Sequence, residues 1–380
     1  MTRPRRVNNA MRILIVGGGI AGLAMARALE LQGFSPDLIE RRAGAPQGGT
    51  GLYLPGNAAR ALQALGLLNS IAKVAMPITT QRILDNRGKP LSVTRTADVW
   101  SRCGPCLALP RAALHAALRD SLRETELRFG ISLTGIEPLG AISRATFSDG
   151  TAREYDLVIG ADGIHSQVRQ SSFPDVRPSY TGNVCWRFTT KDTVGVEGWT
   201  VMLGDGMSLL AIPIGNDQVY VYADMAVNES DAQRNLTDLP PSTLLANFSA
   251  SLSPLITHGP ADAQVHVGRI EQVLMEEWVK GNVVLIGDAA HASSPSMAEG
   301  AAMAMEDALV LAETLGRAPK VSDALAEYTR RRKPRVDWVQ KQCAARDRMR
   351  GLPGWARVPL LKFAGNALYK RSYLPLTEPT

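Results

Sequence analysis

Residues Gly17-Gly18-Gly19-Ile20-Ala21-Gly22, with the spacing Gly17-x-Gly19-x-x-Gly22, restrict this chain more than any other stretch. They follow a short apolar run, Arg12–Val16, suited to a strand buried on both faces of a parallel sheet. Behind them, Ala21–Leu31 is an Ala/Leu-rich helical segment that stops near Gly33, and Pro36–Glu40 is a second buried strand. Each position has a physical job. Gly17 permits the tight strand-to-helix turn, Gly19 lets a pyrophosphate approach the backbone, and Gly22 lets helix and strand close up. Ile20 and Ala21 stand at a helix N-terminus, where unpaired N–H groups and a partial positive charge suit phosphate. Glu40, 18 residues beyond Gly22, can accept bonds from ribose hydroxyls at the tip of the second strand. Glycines at this spacing also occur in ordinary turns. Strand, helix and distant acid together predict a dinucleotide site.

A chain of 380 residues has room for two domains or one large composite one, and 45% apolar with 21% charged residues is a globular composition. The net charge of +6 is diffuse and lacks the aromatic interleaving or finger spacing of a nucleic-acid binder, so no nucleic-acid partner is expected. Residues 1–10 read as an extension outside the fold. No run reaches the roughly 18 apolar residues that a membrane span requires. Four cysteines without a secretion signal point to a reduced, cytoplasmic setting, and no spacing suggests a metal site. Cys103-Gly104-Pro105-Cys106 has the spelling of a redox pair, but that chemistry needs a buried strand before it and a helix after it. Asp98–Arg102 is polar, so the redox reading is set aside.

Further along, Arg41–Gly51 is a polar loop whose glycines (Gly48, Gly49, Gly51) would let backbone lie flat against a planar ring. A helix is predicted over Gly56–Leu67 with Asn57 as N-cap, a hairpin over Met76–Val93, and irregular chain over Ala97–Cys106. Pro110–Arg123 reads as a helix in which Leu114, Leu118 and Leu122 form the buried stripe. Arg111 in its first turn opposes the helix dipole, which suggests a bound anion. Short strands are predicted over Arg128–Phe147 and a buried strand over Tyr155–Gly160, running into Asp162, Gly163 and Arg169. The pattern then changes. Val184–Thr190, Trp199–Leu203, Ser208–Ile214, Gln218–Met225 and Ala263–Gly268 read as an antiparallel sheet, interrupted by an excursion over Asn228–Pro260. Trp186, Arg187, Phe188, Tyr220 and Tyr222 are its candidates for lining a pocket for a planar molecule. Asn282–Ile286 returns to the buried-strand pattern and leads to Gly287 and Asp288, then Pro295, then a helix opening at Gly300-Ala301-Ala302. Ser322–Arg350 reads as a long basic helix with Arg330–Arg335 as a solvated face. Leu352–Leu376, with three prolines, reads as a packing tail, with an amphipathic membrane-surface contact as the minor alternative.

Three motifs thus stand on predicted strand ends: the glycine turn with Glu40, Asp162-Gly163 with Arg169, and Gly287-Asp288 with Pro295 and Gly300. Together they resemble the single-component FAD-dependent aromatic hydroxylases, the group A flavoprotein monooxygenases of the 4-hydroxybenzoate and salicylate hydroxylase kind. The likeness spans roughly Met11 to Arg350. It implies that Gly17, Gly19, Ile20, Ala21 and Gly22 hold the FAD pyrophosphate, that Glu40 and Arg41 meet the adenosine ribose, and that Gly51 belongs to the cofactor loop. It further implies that Arg111 and Asp288 contact the ribityl–phosphate region, and that Asp162 and Gly163 serve both FAD and a visiting NADH or NADPH. Pro295, Gly300 and Ala301 would position the reactive flavin edge, with Gly287 and Ala302 beside them; no catalytic base follows. One departure is Glu299, where many relatives carry Gln. A carboxylate beside an anionic reduced flavin is unfavourable unless it points away or holds a proton.

The fold class implied is α/β: a discontinuous Rossmann-like FAD-binding domain, an inserted, mainly antiparallel substrate domain and a C-terminal helical region. The FAD-binding segments are 11–75, 107–182 and 273–350, the substrate segments 76–106 and 183–272, and the tail 351–380. The implied reaction uses NAD(P)H and O₂ to hydroxylate an aromatic or heteroaromatic small molecule through a flavin C4a-hydroperoxide, in a monomer or homodimer. Rival readings are a flavoprotein oxidase or dehydrogenase without oxygen insertion, and a flavin protein that binds a metabolite without turnover.

Overall fold

The computed structural model describes residues 11–45, 50–233, 248, 252–257 and 265–380. Its organising layer is a six-stranded sheet in the order Val279–Lys280, Val283–Leu285, Leu157–Gly160, Ile13–Val16, Asp37–Glu40, Leu127–Phe129. All neighbours run parallel except the Val279–Lys280 edge. Register matches Val16 with Gly160, and Gly160 with Leu285, so three strands from distant parts of the chain end at one level. Ile13–Val16 is buried at every position, as expected of a strand covered on both faces. Helix Ile20–Leu31 covers the sheet and packs on helix Gly300–Arg317.

A second, seven-stranded sheet has the order His266–Gln272, Ser179–Lys191, Gln218–Ala226, Met207–Gly215, Trp199–Leu203, Thr80–Asp85, Pro90–Arg95. The predicted hairpin therefore joins this sheet, with Trp199–Leu203 and Thr80–Asp85 as its one parallel pair. Met76–Pro77, taken as the start of the hairpin, pairs instead with Leu107–Pro110 in a small sheet that also holds Gly51–Leu54. Another three-stranded sheet, Leu133–Leu139, Ile142–Phe147 and Ala152–Tyr155, precedes Leu157.

Several expectations need correction. Pro110 closes a strand, so the helix runs Arg111–Asp120. Ala97–Trp100 is a short helix rather than irregular chain. Asn57 is not a cap: Pro55 holds the cap position of helix Gly56–Ala64, and Asn57 is fully buried. The expected tail is a 20-residue helix, Gly354–Tyr373, that tolerates Pro359 because tertiary contacts hold it: Leu361 is buried, and Gly365 lies against Ser92. Nor is the arginine run a solvated face. In helix Val321–Arg350, Arg332 is completely buried between Glu306 and Asp307. Residues 1–10, Gly48, Gly49, the start of the strand expected at Ala263 and most of the Asn228–Pro260 excursion lie outside the described residues.

Candidate active site

The glycine turn is built by close approach. Gly17 has φ +110°, and a Cβ there would stand 2.5 Å from the Ala161 carbonyl oxygen, so only glycine lets the first and second motif-bearing turns touch. At Gly22 a Cβ would fall 1.8 Å from the Gly17 carbonyl oxygen. Gly19 meets nothing within 4 Å and opens on a cleft at the N-terminus of helix Ile20–Leu31. Glu40 braces this turn: its carboxylate accepts the Gly18 N–H at 2.8 Å and the Arg42 N–H at 2.9 Å.

Around the cleft stand Glu40, Arg42, Arg111, His115 and Phe129. Arg41 does not line it; its exposed side chain lies outside and Arg42 takes that place. His115, one helical turn after Arg111, hydrogen-bonds through Nε2 to the Gly18 carbonyl at 2.8 Å. Burial holds its pKa below the usual range. The i, i+4 spacing from Arg111 was a legible signal for it. Arg111 is open to the cleft yet surrounded deeply enough that desolvation lowers its pKa, against the attraction of Asp288. Arg187, Tyr220 and Arg42 also act on it electrostatically, so both sheets contribute to one site.

The second turn carries Asp162. Its Oδ2 accepts the Gln167 and Val168 N–H groups at 2.7 and 3.2 Å, while buried Oδ1 has no partner among the described residues. Desolvation raises this carboxyl's pKa. Gly163, at φ +80°, faces open space. Arg169, expected at the ligand edge, is instead fully buried and donates to the Ala289 and Ile164 carbonyls, stapling the second turn to the third.

In the third turn Gly287 has φ +57°, and a Cβ would come within 3.0 Å of the Ala21 Cβ. Its N–H donates to Asp307 Oδ2 at 2.9 Å, and that oxygen lies 2.6 Å from His291 Nε2. Asp288 is exposed and within electrostatic reach of Arg111, and a Cβ on Gly300 would be 3.9 Å from its Oδ1. Pro295 opens a short 3-10 turn, and Ala298 takes a left-handed conformation at φ +52° before helix Gly300–Arg317 begins. Gly300 is exposed and Ala301 half-buried, but Ala302 faces the core at 0% exposure and can offer a ligand only backbone.

Strand alternation divides the substrate candidates. Trp186 and Phe188 point into the core on the far face of the seven-stranded sheet, with Val184, Met202 and Leu209. They are corrected from pocket to core, because a strand's side chains alternate and Arg187 takes the near face. Tyr220 shares that face; Gly51 packs on it, a Cβ there being 2.2 Å from the Tyr220 Cβ, so Gly51 joins the sheets rather than meeting a flat ring. The Tyr222 hydroxyl donates to Asp224 Oδ2 at 2.8 Å, and Arg350 pairs with the same carboxylate. Arg187 stays charged: burial pulls its pKa down, but Cys185, Tyr220 and Tyr222 push it further up.

The Cys103–Cys106 stretch stands apart from this chemistry. Both are buried free thiols, and burial pushes Cys106 up to about 12 and Cys103 also upward. Among the described residues there is no metal-ligating cluster and no helix long and apolar enough to cross a membrane.

Comparison with known proteins agrees with this geometry. The FAD binding domain family matches residues 10–342. The 2-heptyl-3-hydroxy-4(1H)-quinolone synthase of Pseudomonas aeruginosa is 34% identical over 373 residues, 95% of this chain and 96% of that protein. The aurachin C monooxygenase/isomerase of Stigmatella aurantiaca is 31% identical, covering 85% of each. Klebsiella pneumoniae HpxO, solved with FAD and uric acid, superposes with a TM-score of 0.85 at 23% identity, covering 97% of both chains, which shows the shared fold. With the three strand-end motifs joined on one sheet edge, the chain belongs to the FAD-binding flavoprotein monooxygenases.

Proposed function

We propose that this chain uses NAD(P)H and O₂ to hydroxylate an aromatic or heteroaromatic small molecule held between FAD and the near face of the seven-stranded sheet. The single observation that carries the reading is that the Gly17, Asp162 and Gly287 turns share one sheet edge, facing Arg187 and Tyr220. The residues fit FAD. Gly19 leaves room for a pyrophosphate where a side chain would intrude, Asp162 Oδ1 is a buried acceptor with no donor among the described residues, and Arg42 and Arg111 supply positive charge.

When bound, FAD supplies electron transfer from the nicotinamide and activation of oxygen. The protein does the rest. The first-turn N–H groups of helix Ile20–Leu31 and Arg111 hold the phosphates, and Asp288 accepts from the ribityl hydroxyls. Glu40, already bonded to backbone, is left to receive the adenosine ribose. The N-terminus of helix Gly300–Arg317 places positive dipole where negative charge gathers during turnover. Arg187 and Tyr220 orient the substrate through a ring oxygen, a carbonyl or hydroxyl such as quinolones and urate carry, while the sheet keeps water away. All four cysteines are free, which supports a reducing, cytoplasmic setting.

The test is substrate-stimulated NAD(P)H oxidation under O₂ across phenols, quinolones and purines, with mass spectrometry of the product. A product heavier by one oxygen is expected. Stimulated oxidation that yields only H₂O₂ with every candidate would overturn the reading, and substrate oxidation without NAD(P)H would favour an oxidase.

A further inference from the structure

The C-terminal helix Gly354–Tyr373 is apolar on two opposite sides. One side is satisfied: Leu361, Gly365 and Tyr369 are buried, and Leu361 packs with Leu91 and Val201 of the seven-stranded sheet. The other side is not. Phe363 is 90% exposed and Trp355 82%, with Leu360 and Leu374 at 38% and 58%, and Leu352 just before the helix at 37%. An isolated exposed leucine needs no explanation; two nearly bare aromatics and three leucines along one helix and its two flanks do. A helix apolar on two sides serves two partners.

Charge identifies the second. From Gly354 to Tyr373 the helix holds Arg357, Lys362, Lys370 and Arg371 and no acidic residue. Lys362, Lys370 and Arg371 are exposed; by helical spacing Lys362 and Arg371 border the apolar side, and Lys370 stands on it near the C-terminal end, where a long side chain can snorkel. The nearby acids are few: Asp98 stands 3.8 Å from Lys370, and Asp205 pairs with buried Arg357 at 3.2 Å. Trp, Phe and Leu bordered by Lys and Arg form the pattern of a helix lying in a bilayer interface, apolar side in the acyl boundary and cations among anionic headgroups. A second copy fits less well, because a symmetric contact would set the same unbalanced cations against each other. We propose that this face docks the protein peripherally on an anionic lipid surface, with Trp355 and Phe363 inserted and Lys362, Lys370 and Arg371 at the headgroups.

The test is co-sedimentation of the FAD-loaded protein with vesicles of phosphatidylglycerol and phosphatidylcholine, and with pure phosphatidylcholine, beside quenching of tryptophan emission by brominated lipid. At least tenfold tighter binding to the anionic vesicles is expected, weakening with salt. Trp355→Ser with Phe363→Ser should lower it at least tenfold. Lys362→Gln with Lys370→Gln and Arg371→Gln should remove its salt dependence. Retained flavin absorbance and an unchanged unfolding midpoint check that these exposed substitutions leave the fold intact. Equal or absent binding to both vesicle types overturns the proposal. So does light scattering that shows a dimer which the Trp355/Phe363 variant splits, since a second copy then covers the face. Neither readout depends on turnover, so the result stands whatever substrate the enzyme takes.

Discussion

Glu299 is a carboxyl where a carboxylate is costly. It is 2% exposed, Oε2 accepts from Asn57 Nδ2 at 2.9 Å, and Oε1 has no partner among the described residues. Burial pushes its pKa up to about 8, so at neutral pH it holds a proton and puts no charge beside the start of the Gly300 helix. Between the unfolded value near 4.3 and about 8, the native state binds the extra proton. The resulting stabilisation is complete below the lower value and is lost as pH rises through the upper one. Glu299→Gln cannot ionise; relative to it, the wild type should lose on the order of a few kcal/mol across that window. Urea unfolding of both proteins at pH 5, 7 and 9 checks this, and parallel curves would refute it. At this scale the sequence was most legible where backbone makes the demand. Gly17 and Gly22 are each required by a backbone contact that no Cβ survives, and Gly287 is favoured by its left-handed φ beside a 3.0 Å approach to Ala21. Side-chain partnerships across the chain were not legible: Asn57, spelled like a cap, is spent on Glu299 and Glu306, 242 and 249 residues away.

Among elements, helix Val321–Arg350 is locked onto helix Gly300–Arg317. Arg332 bonds Glu306 at 2.7 Å, Asp307 at 2.8 Å and the Met303 carbonyl, and Arg335 shares Glu306. Burial alone would raise the Asp307 pKa, but His291 and Arg332 outweigh it and hold the carboxyl below the usual range. Asp307 in turn holds the Gly287 N–H, so the arginine positions the third turn from behind. Removing one partner of such a network strands a buried charge; Arg332→Met should cost about 3–5 kcal/mol of stability, read from the urea midpoint. The arginine run looked like a solvated face because local charge density says nothing about what a helix lies against. Strand alternation, by contrast, was readable, but which parity faces the cofactor was not, and that misplaced Trp186 and Phe188. The same reasoning covers Cys103, whose thiol sits near the Thr377 carbonyl and Arg60 rather than beside the flavin cleft. Cys103→Ser should leave turnover unchanged, and a large loss of kcat would revive a redox role.

For the whole molecule, the site exists only where two sheets meet. Asp288 is exposed, so Asp288→Ala removes a candidate ligand group without opening the core. The purified variant should carry at most a tenth of the wild-type flavin, measured by absorbance per protein, with an unfolding midpoint close to that of wild-type apoprotein. Full flavin retention would reject its assignment. The order of motifs along the chain made the composite α/β fold readable, since three strand-end turns of this kind have few other uses. The C-terminal helix escaped because its prolines mask a helix that tertiary contacts sustain.

The central sheet also sets a timetable for synthesis. Ile13–Val16 is followed closely by its neighbour Asp37–Glu40, but its other neighbour, Leu157–Gly160, is some 140 residues behind, and Val283–Leu285 is made later still. Until then a nascent chain presents an apolar strand with an unpaired edge, a state prone to sticking to its neighbours. Flavin cannot rescue it, because no seat for flavin exists before the last of these strands has been made.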